Sequence, residues 1–527
     1  MASIFSKKAL NYVAGRWGKE DEDPELDIKQ TENFFVEMMK KNDWILDDLT
    51  WNDLDMNRVF KKVNRTFSVS GQQCLYNMMR IIQYDEEELK RRDRVIQFFQ
   101  HNKEEREQLQ ACFYHLGKSR FDGACSLLFK GIPQMPSYIN WLTPMTFGII
   151  ISIILLPFLG VRMLLPLLFF FIGNVVLHNR LNVHTEATMP AIIYIGKMLR
   201  VAEEIAKIND PRLKEYNEFF SKCVSKCAKL KRKTRNMGVI ENDPLGIAEF
   251  VNMAFLVQAR GYVRCVKDVE ENAAALRVLY RRLGELDALQ SVASYRRGQR
   301  NYCTPEFVED NSYLEAEEII HPLLRDAVSN SITMQDRNVL ITGSNMSGKS
   351  TFLRTIAINA VTAQTIYTVS AKRYKTSFFQ ILTSISPSDD LMEGTSYYMA
   401  EAEALLRMLN ILSEDRCSLL IIDEIFRGTN PMERVAAASS LLQYMAERNT
   451  MVIVATHDIE ITQKVQNQYD SYHFTENVTK DSLDFDYKLR PGTLKSPNGI
   501  RILEYIGYPD EIVQNALADV DMQKGEA

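Results

Sequence analysis

The spacing of hydrophobic and polar residues changes along the chain and divides it into regions of different character. Over residues 31–135 apolar positions recur at three- and four-residue intervals, which predicts amphipathic helices. The same periodicity returns over 186–312. From 313 to 520, short β-branched runs alternate with helical segments, which is typical of an α/β sheet. Residues 1–30 are polar and are predicted to form an N-terminal segment outside these regions.

The stretch between the two helical regions is almost continuously apolar. Within residues 141–177 the single ionisable side chain is Arg162. A membrane-spanning helix takes about 20 apolar residues, so this run is too long for one span and fits two short ones. Pro157, Gly160 and Pro166 surround Arg162 and supply a break, which predicts a transmembrane helical hairpin. A buried core hairpin and a re-entrant loop are the alternatives that the pattern leaves open.

One stretch of the α/β region carries a complete phosphate-binding loop pattern, G-x-x-x-x-G-K-S at 343–350. It lies between a predicted buried strand at 338–342 and a predicted helix at 351–360. Glycines let backbone N–H groups surround phosphate oxygens, and the positive end of the helix dipole faces them. Lys349 is predicted to contact the β- and γ-phosphates of ATP, and the Ser350 hydroxyl to bind Mg²⁺. The predicted phosphate-binding residues are Gly343, Ser344, Asn345, Met346, Ser347, Gly348, Lys349, Ser350 and Thr351.

Two acids follow a second buried strand. The apolar run at 418–422 has the composition of a parallel strand buried on both faces, and it ends at Asp423 and Glu424. Asp423 is predicted to hold the Mg²⁺ shell, and Glu424 to polarise the attacking water. His457 follows the apolar run at 451–455, where an imidazole can contact the γ-phosphate. These residues predict Mg²⁺-dependent hydrolysis of ATP to ADP and phosphate.

The predicted nucleotide site also indicates on which side of a membrane the soluble regions lie. The hairpin arms are predicted over 141–160 and 164–177, and a hairpin returns the chain to the side on which it began. Flanking charges are too few to orient it by the distribution of basic residues. Because the site needs cytoplasmic ATP, both soluble regions are predicted to be cytoplasmic, with the protein held at a membrane by the hairpin.

Four segments, in this order, resemble the MutS family of DNA mismatch repair ATPases. The loop at 342–350 is similar to the family's T-G-P-N-M-x-G-K-S, and 389–401 resembles its dimer signature, D-D followed by S-x-F-M-x-E. Residues 423–429 resemble D-E-I-G-R-G-T, and 455–457 match A-T-H. The resemblance is strongest over about 325–520 and does not extend to the family's mismatch-reading domain or DNA clamp.

This resemblance implies partners and further site residues. It implies a homodimer in which Ser396 of the opposite subunit completes each composite ATP site. It places Tyr487 and Ile332 at the positions of the family's adenine platform, although Ile332 is not aromatic. It also implies DNA as a partner.

Together these features predict an α/β P-loop NTPase domain of the ABC-like MutS type. An all-α core and lever region is predicted to precede it, interrupted by the transmembrane hairpin. The expected function is a membrane-anchored ATPase coupled to DNA binding. The alternative is a nucleotide-switched membrane scaffold that acts on a protein or lipid without DNA. An ABC transporter fits less well, because one hairpin per chain gives few spans and the Leu-Ser-Gly-Gly signature is absent.

The net charge, a local basic run and the cysteine spacing limit the classes of partner and metal that the sequence predicts. A formal net charge of −5 argues against an overall nucleic-acid coat. A local basic run is compatible with DNA phosphates, with anionic lipid headgroups or with a solvated helix face, and it consists of Lys229, Lys231, Arg232, Lys233 and Arg235. The eight cysteines lack metal-site spacing, so reduced thiols in the cytosol are expected.

Overall fold

The structure is a computed structural model, and it describes residues 4–20, 27–39, 44–118, 123–132, 135–185, 188–235, 247–309, 312–344, 346–385, 397–412, 416–478, 483–493 and 499–525. Contacts divide the chain into two compact units. The helical unit comprises Met1–Asn42, Val63–Asn77 and Asp93–Gly298. The α/β unit comprises Asp43–Lys62, Met78–Arg92 and Gln299–Ala527.

In the described part of the chain up to residue 298 the elements are helices, as the hydrophobic periodicity predicts, with one isolated bridge between Ile45 and Ile81. In α11, for example, Ile192, Ile195, Leu199 and Ala202 follow a three- and four-residue spacing and are all buried. Short 3-10 helices cover Ser137–Trp141, Gly160–Met163 and Pro211–Leu213. The α-helices are α1 (Lys7–Arg16), α2 (Ile28–Met39), α3 (Asp48–Asp53), α4 (Met56–Val63), α5 (Val69–Arg80), α6 (Glu86–His101), α7 (Lys103–Leu116), α8 (Ala124–Phe129), α9 (Leu142–Leu159), α10 (Leu164–Thr185), α11 (Met189–Ile205), α12 (Lys214–Lys226), α13 (Ala228–Arg235), α14 (Ile247–Phe255), α15 (Val257–Glu271) and α16 (Ala273–Gly298).

A buried carboxylate joins α16 to the start of α5 within the helical unit. Asp287 accepts hydrogen bonds from the backbone N–H of Ser68 at 2.8 Å and of Phe67 at 3.2 Å. It also accepts from the Ser68 hydroxyl at 2.5 Å and from Gln290 Nε2 at 3.0 Å. A Cβ atom at Gly71 would lie 2.1 Å from the Asp287 carboxylate, so glycine is required for this close approach. Asp287 thus satisfies the backbone N–H groups of the two residues that lead into α5.

The apolar run folds into two antiparallel helices, α9 and α10, joined through Gly160–Met163. The pairing of Gly148 with Phe170 and of Gly173 with Met145 shows that the arms run in opposite directions. A Cβ atom at Gly148 would lie 2.4 Å from the Phe170 ring, so glycine lets the arms approach closely. The first arm is close to the predicted 141–160. The second continues eight residues past the predicted end at 177, because α10 extends to Thr185.

Most of the hairpin surface is apolar and exposed. Phe158 is 80% exposed and Leu165 is 77% exposed, both near the connection between the arms. Among the described residues, one helical stretch, Ser137–Leu181, is long and apolar enough to cross a membrane, by its length and composition only. Its mean hydropathy is 2.4 and 17% of its most apolar window is buried. A buried core hairpin, which was one alternative to the membrane prediction, does not have such a surface.

The α/β unit contains the predicted alternation of strands and helices. Its strands are β1 (Glu306–Phe307), β2 (Tyr313–Ile319), β3 (Asn330–Gln335), β4 (Asn338–Thr342), β5 (Arg373–Thr376), β6 (Gln380–Ser384), β7 (Ser418–Asp423), β8 (Thr450–Ala455), β9 (Tyr469–His473), β10 (Glu476–Val478), β11 (Leu483–Phe485) and β12 (Arg490–Pro491). Its later helices are α17 (Lys349–Ile366), α18 (Tyr397–Ile411), α19 (Pro431–Ala446), α20 (Ile459–Val465), α21 (Gly499–Ile506) and α22 (Asp510–Gly525).

The main sheet of this unit has the strand order β12-β9-β4-β8-β7-β6. Strands β9, β4, β8, β7 and β6 are parallel, and β12 is antiparallel to β9. Every residue of β4, β7 and β8 is buried, which explains their continuous apolar sequences. Asp423 pairs with Ala455 in the register of β7 and β8, so the two carboxyl ends lie side by side.

The observed units cross the domain boundaries predicted from the sequence. Residues 43–62 and 78–92 were expected in the helical region, but they belong to the α/β unit. The Asp53 carboxylate explains part of this assignment, because it accepts hydrogen bonds from Thr383 Oγ1 at 2.8 Å and from the backbone N–H of Ile385 at 2.9 Å. The helical unit ends at Gly298, fourteen residues before the predicted end of the lever-like region at 312.

Candidate functional site

The phosphate-loop sequence follows the carboxyl end of β4 and leads directly into α17. Gly348 precedes this helix with φ +104°, a conformation that favours glycine. A Cβ atom there would lie 3.1 Å from Cδ1 of Tyr487, so the aromatic ring lies against the loop. Met346 has a φ of +76° and an exposed side chain. Asn345, another predicted phosphate contact, lies outside the described residues.

The Lys349 side chain is buried inside the loop. Its ammonium group donates hydrogen bonds to the carbonyl oxygens of Gly343 at 2.8 Å and Ser344 at 2.9 Å. Nε2 of His457 lies 3.2 Å from the same nitrogen. Burial lowers the pKa of Lys349, and the neighbouring Asp423 and Glu424 carboxylates oppose that effect. The predicted lysine and histidine are therefore in direct contact.

The predicted metal ligands Ser350 and Asp423 are also adjacent. The Ser350 hydroxyl donates a hydrogen bond to Oδ2 of Asp423. The other carboxylate oxygen, Oδ1, is buried and receives no hydrogen bond from the described residues. Nη2 of Arg427 lies 4.0 Å from Oδ1, beyond hydrogen-bond distance. A buried carboxylate oxygen beside a hydroxyl is a suitable ligand for a hard divalent cation such as Mg²⁺.

Each carboxylate oxygen of Glu424 contacts a nitrogen-bearing side chain. Its Oε1 lies 3.0 Å from Nε2 of His457, and its Oε2 lies 2.5 Å from Nε of Arg427. Burial raises the pKa of Glu424, but the hydrogen bond from His457 and the charges of Arg427 and Lys349 outweigh it, so the pKa is lowered overall. The carboxyl group is therefore an ionised carboxylate at neutral pH, which is the form that can orient or deprotonate a water molecule.

The loop after Glu424 is attached to the start of α18. Glu401 is buried in this helix and accepts a hydrogen bond from the backbone N–H of Arg427 at 2.9 Å. Burial raises the pKa of Glu401, and the backbone hydrogen bonds oppose that effect. A Cβ atom at Gly428 would lie 3.0 Å from Cβ of Tyr398, so the loop and the helix are in close contact. Ser396 and the Asp389-Asp390 pair precede this helix and lie outside the described residues.

These side chains surround a cavity of about 670 Å³, a size typical of small-molecule sites. From the predicted set, the cavity is lined by Ser344, Met346, Gly348, Lys349, Ser350, Thr351, Asp423, Glu424 and Tyr487. Ser347 lies in the loop with its hydroxyl buried and without a hydrogen-bond partner among the described residues. Ile332 is buried in β3 and is not among the residues that line the cavity.

One wall of the cavity is formed by residues that the sequence did not identify as part of the site. The segment between β2 and β3 contributes an apolar side, formed by Leu324, Ala327 and Val328. His321 begins the same segment, and burial together with the charge of Arg354 lowers its pKa to about 4, so its imidazole is neutral. Leu324 and Val328 are large apolar side chains with substantial exposure. These residues lie in a loop that is separated from the phosphate-loop strand β4 by β3, and no periodic pattern in the sequence identifies them as a cavity wall.

The basic run predicted to contact DNA or lipid lies on α13 in the helical unit. Lys231 pairs with Glu203 at 2.6 Å, and Lys233 pairs with Asp268 at 2.6 Å. These two lysines are engaged within the unit. The remaining members are exposed on the helix surface, and they are Lys229, Arg232 and Arg235.

The fold and this site define an α/β protein in which a phosphate-loop sequence joins a central parallel strand to a helix, beside paired acids on a neighbouring strand. Residues 339–523 match the family model for MutS domain V. Over these residues the chain is therefore similar to domain V of the MutS family.

Individual relatives align with the C-terminal half of the chain. The DNA mismatch repair protein MutS of Natronomonas pharaonis is 32% identical over 260 residues, which is 47% of this chain and 30% of that protein. The protein of the same name from Thermus thermophilus is 35% identical over 254 residues, covering 47% and 30%. That of Staphylococcus haemolyticus is 32% identical over 272 residues, covering 49% and 30%. The chain thus aligns with about a third of the length of these relatives.

Proposed function

We propose that this chain is a membrane-anchored, Mg²⁺-dependent ATPase. The observation that carries the proposal is the arrangement at the carboxyl ends of β4 and β7. There, buried Lys349 and the Ser350–Asp423 pair line one cavity with the ionised Glu424. A cation, a metal-ligand pair and a carboxylate base around one cavity of nucleotide size are the parts that phosphoryl transfer to water requires.

The residues present fit a magnesium ion. Ser350 Oγ and the buried Oδ1 of Asp423 would hold it, since hard cations prefer such oxygen ligands. Bound Mg²⁺ supplies neutralisation of phosphate charge. Lys349 would exchange its carbonyl contacts in the loop for phosphate oxygens of ATP. Glu424 would orient the attacking water and accept its proton, with His457 and Arg427 fixing the direction of the carboxylate.

The nucleobase has a suitable place in the same cavity. Tyr487 lies beside Gly348 and offers an aromatic face, while Leu324 and Val328 offer apolar contacts. The adenine platform in this proposal is therefore Tyr487 with the segment between β2 and β3. Ile332, which the family resemblance had placed in the platform, has no such role in it.

Two further elements of the proposal concern assembly and location. The homodimer, with Ser396 of a second copy at the γ-phosphate, is supported by the likeness of 389–401 to the MutS dimer signature. Membrane anchoring is supported by the exposed apolar surface of α9 and α10. With 18 and 22 residues these helices are about 27 and 33 Å long, against a hydrocarbon core of roughly 30 Å, and the last turns of α10, from His178 onward, are polar. Both soluble units would then be cytoplasmic.

Lys349→Ala tests the proposed nucleotide site. Loss of the ammonium group removes charge-assisted hydrogen bonds to phosphate, so ATP affinity should fall by about 10- to 100-fold. Affinity is measured by calorimetric titration of the purified full chain with MgATP. The matched control is Lys372→Ala, since Lys372 lies in the same unit but pairs with Glu317 and Glu318 outside the cavity. Unchanged ATP affinity in a folded Lys349→Ala protein would show that the nucleotide does not bind in this loop.

A second question is whether ATP turnover is coupled to DNA. The relatives' name, DNA mismatch repair protein MutS, favours DNA coupling. The exposed hairpin favours the alternative, a membrane scaffold that acts on a protein or lipid. For DNA coupling, duplex or branched DNA should change the ATPase rate of the detergent-solubilised protein. The DNA concentration needed should rise steeply between low and high salt, because phosphate contacts release counterions. An ATPase rate unaffected by any DNA form would favour the scaffold.

A further inference from the structure

A helix outside the hairpin has a similar apolar character and packs against it. Helix α14 has the sequence I-A-E-F-V-N-M-A-F and contacts both α9 and α10. Its Phe250 side chain is 67% exposed, and that of Val251 is 44% exposed. Val257, which begins α15, is 51% exposed. Three large apolar side chains on one short segment are therefore substantially exposed beside the apolar hairpin.

The carboxyl end of α14 is fastened to the hairpin by polar side chains. Asn174 Nδ2, in α10, donates a hydrogen bond to the carbonyl oxygen of Ala254 at 2.6 Å. Thr146 Oγ1, in α9, lies 3.3 Å from the carbonyl oxygen of Phe255 and also donates to that of Leu142 at 2.8 Å. The last carbonyls of a helix lack helical partners, and hydrocarbon offers them no water. Asn174, which is buried, supplies such a partner from within the hairpin, and the single hydroxyl proton of buried Thr146 is shared between the Leu142 and Phe255 carbonyls.

The chain then turns into α15, whose three basic residues precede three acids, and Lys267 lies 4.0 Å from Glu271 one turn further on. Leu256 has a left-handed φ of +49° and is fully buried in an apolar cluster with Leu142, Leu177 and Leu181. Helix α15 follows, with basic residues at spacings of four and three, which places them on one face of the helix. They are Arg260, Arg264 and Lys267. An apolar segment flanked by a basic helix face is complementary to a lipid layer, with acyl chains beside anionic headgroups.

We infer that α14 is a third lipid-contacting segment, which inserts Phe250 and Val251 among acyl chains beside the hairpin. With nine residues it is about 13.5 Å long, so it enters one leaflet without crossing the bilayer. The inference rests on the proposed membrane position of α9 and α10 and extends it. The membrane-embedded part is then a three-helix wedge, whose third member is joined to the soluble helical unit through α15.

The inference is tested by fluorescence quenching in liposomes of phosphatidylcholine and phosphatidylglycerol. The full chain carries one environment-sensitive NBD label on an introduced cysteine, in a Cys303→Ser background, because the other native cysteines are buried. Labels are placed at Phe250→Cys and, independently, at Val251→Cys. Ile154→Cys, exposed on the hairpin, is the positive control, and Glu218→Cys, exposed on α12, is the negative control. Phosphatidylcholine with a spin label on its acyl chain is the quencher.

Labels at 250 and 251 should lose emission to an extent comparable with the label at 154, while the label at 218 keeps its emission. Quenching at 154 with none at 250 or 251 would overturn the inference and leave the membrane hairpin intact. Absence of quenching at 154 as well would overturn both the inference and the proposed membrane anchoring. Two independent labelling positions on α14 guard against a single variant that does not fold.

Discussion

Replacing Glu424 with glutamine is expected to lower the ATP turnover number by about 10²- to 10⁴-fold, while ATP remains bound. Glutamine preserves the size of the side chain but cannot take a proton from water. Phosphate binding should persist, because Lys349, Ser350 and Asp423 are unchanged and line the cavity independently of this carboxylate. Turnover is measured as phosphate release at saturating MgATP. Retention is measured as nucleotide that stays with the protein through gel filtration.

The matched control for this substitution is Glu447→Gln, an exposed acid that caps the carboxyl end of α19. It should leave both turnover and ATP retention at wild-type values. Normal hydrolysis by Glu424→Gln would remove Glu424 from the role of base. Loss of ATP binding by the same variant would indicate instead that its contacts with His457 and Arg427 maintain the cavity.

Asp287→Asn should destabilise the helical unit by about 2–4 kcal/mol, the range expected when a buried hydrogen-bond network loses partners. The amide NH₂ group would face N–H or O–H donors of Phe67 and Ser68, where the carboxylate now accepts. The measurement is the thermal unfolding midpoint of the full chain in detergent, followed by tryptophan fluorescence. Glu285→Gln is the matched control on the same helix. Glu285 is partly buried and its ion pair with Arg282 is 3.5 Å long, so a smaller change than for Asp287→Asn is expected.

The loss of stability caused by Asp287→Asn should depend on pH. Burial raises the pKa of Asp287 to about 6, above the value of about 3.9 for an unfolded chain. Between these values the folded protein binds more protons than the unfolded one, so the contribution of Asp287 to stability falls as pH rises from about 4 to about 6. The cost of Asp287→Asn should therefore be larger at pH 5 than at pH 7. An equal cost at both pH values, or no cost at either, would contradict this account.

The parts of the site that the sequence predicts are those determined over short distances along the chain. Lys349 and Ser350 follow the glycines that shape the loop, and Asp423 ends a strand whose apolar run identifies it as buried. Parallel strands then bring their carboxyl ends to one edge of the sheet, which places His457 near Lys349. A local pattern together with sheet geometry was sufficient for these residues.

Other features depend on contacts between distant residues, which a local pattern does not contain. The hydrogen bonds from Thr383 and Ile385 to Asp53 connect positions more than three hundred residues apart and place an N-terminal segment in the α/β unit. The apolar cavity wall at Leu324 and Val328 comes from a loop without periodicity. In the sequence Asn174 resembles the polar end of an apolar run. Its hydrogen-bond partner, the Ala254 carbonyl of α14, lies eighty residues further along the chain, so the local pattern does not reveal the contact.

The backbone of the loop that begins at Glu424 is strained. Glu424 and Phe426 have φ values of +65° and +58°, which cost on the order of 1 kcal/mol each for residues other than glycine. The Glu424 N–H donates to the Ala455 carbonyl at 2.9 Å, and the Arg427 N–H donates to Glu401. One of these two restraints belongs to α18, so a movement of that helix that withdraws Glu401 lets the strained loop relax. The direction of the Glu424 carboxylate therefore depends on the position of α18, the helix that follows the segment carrying Ser396.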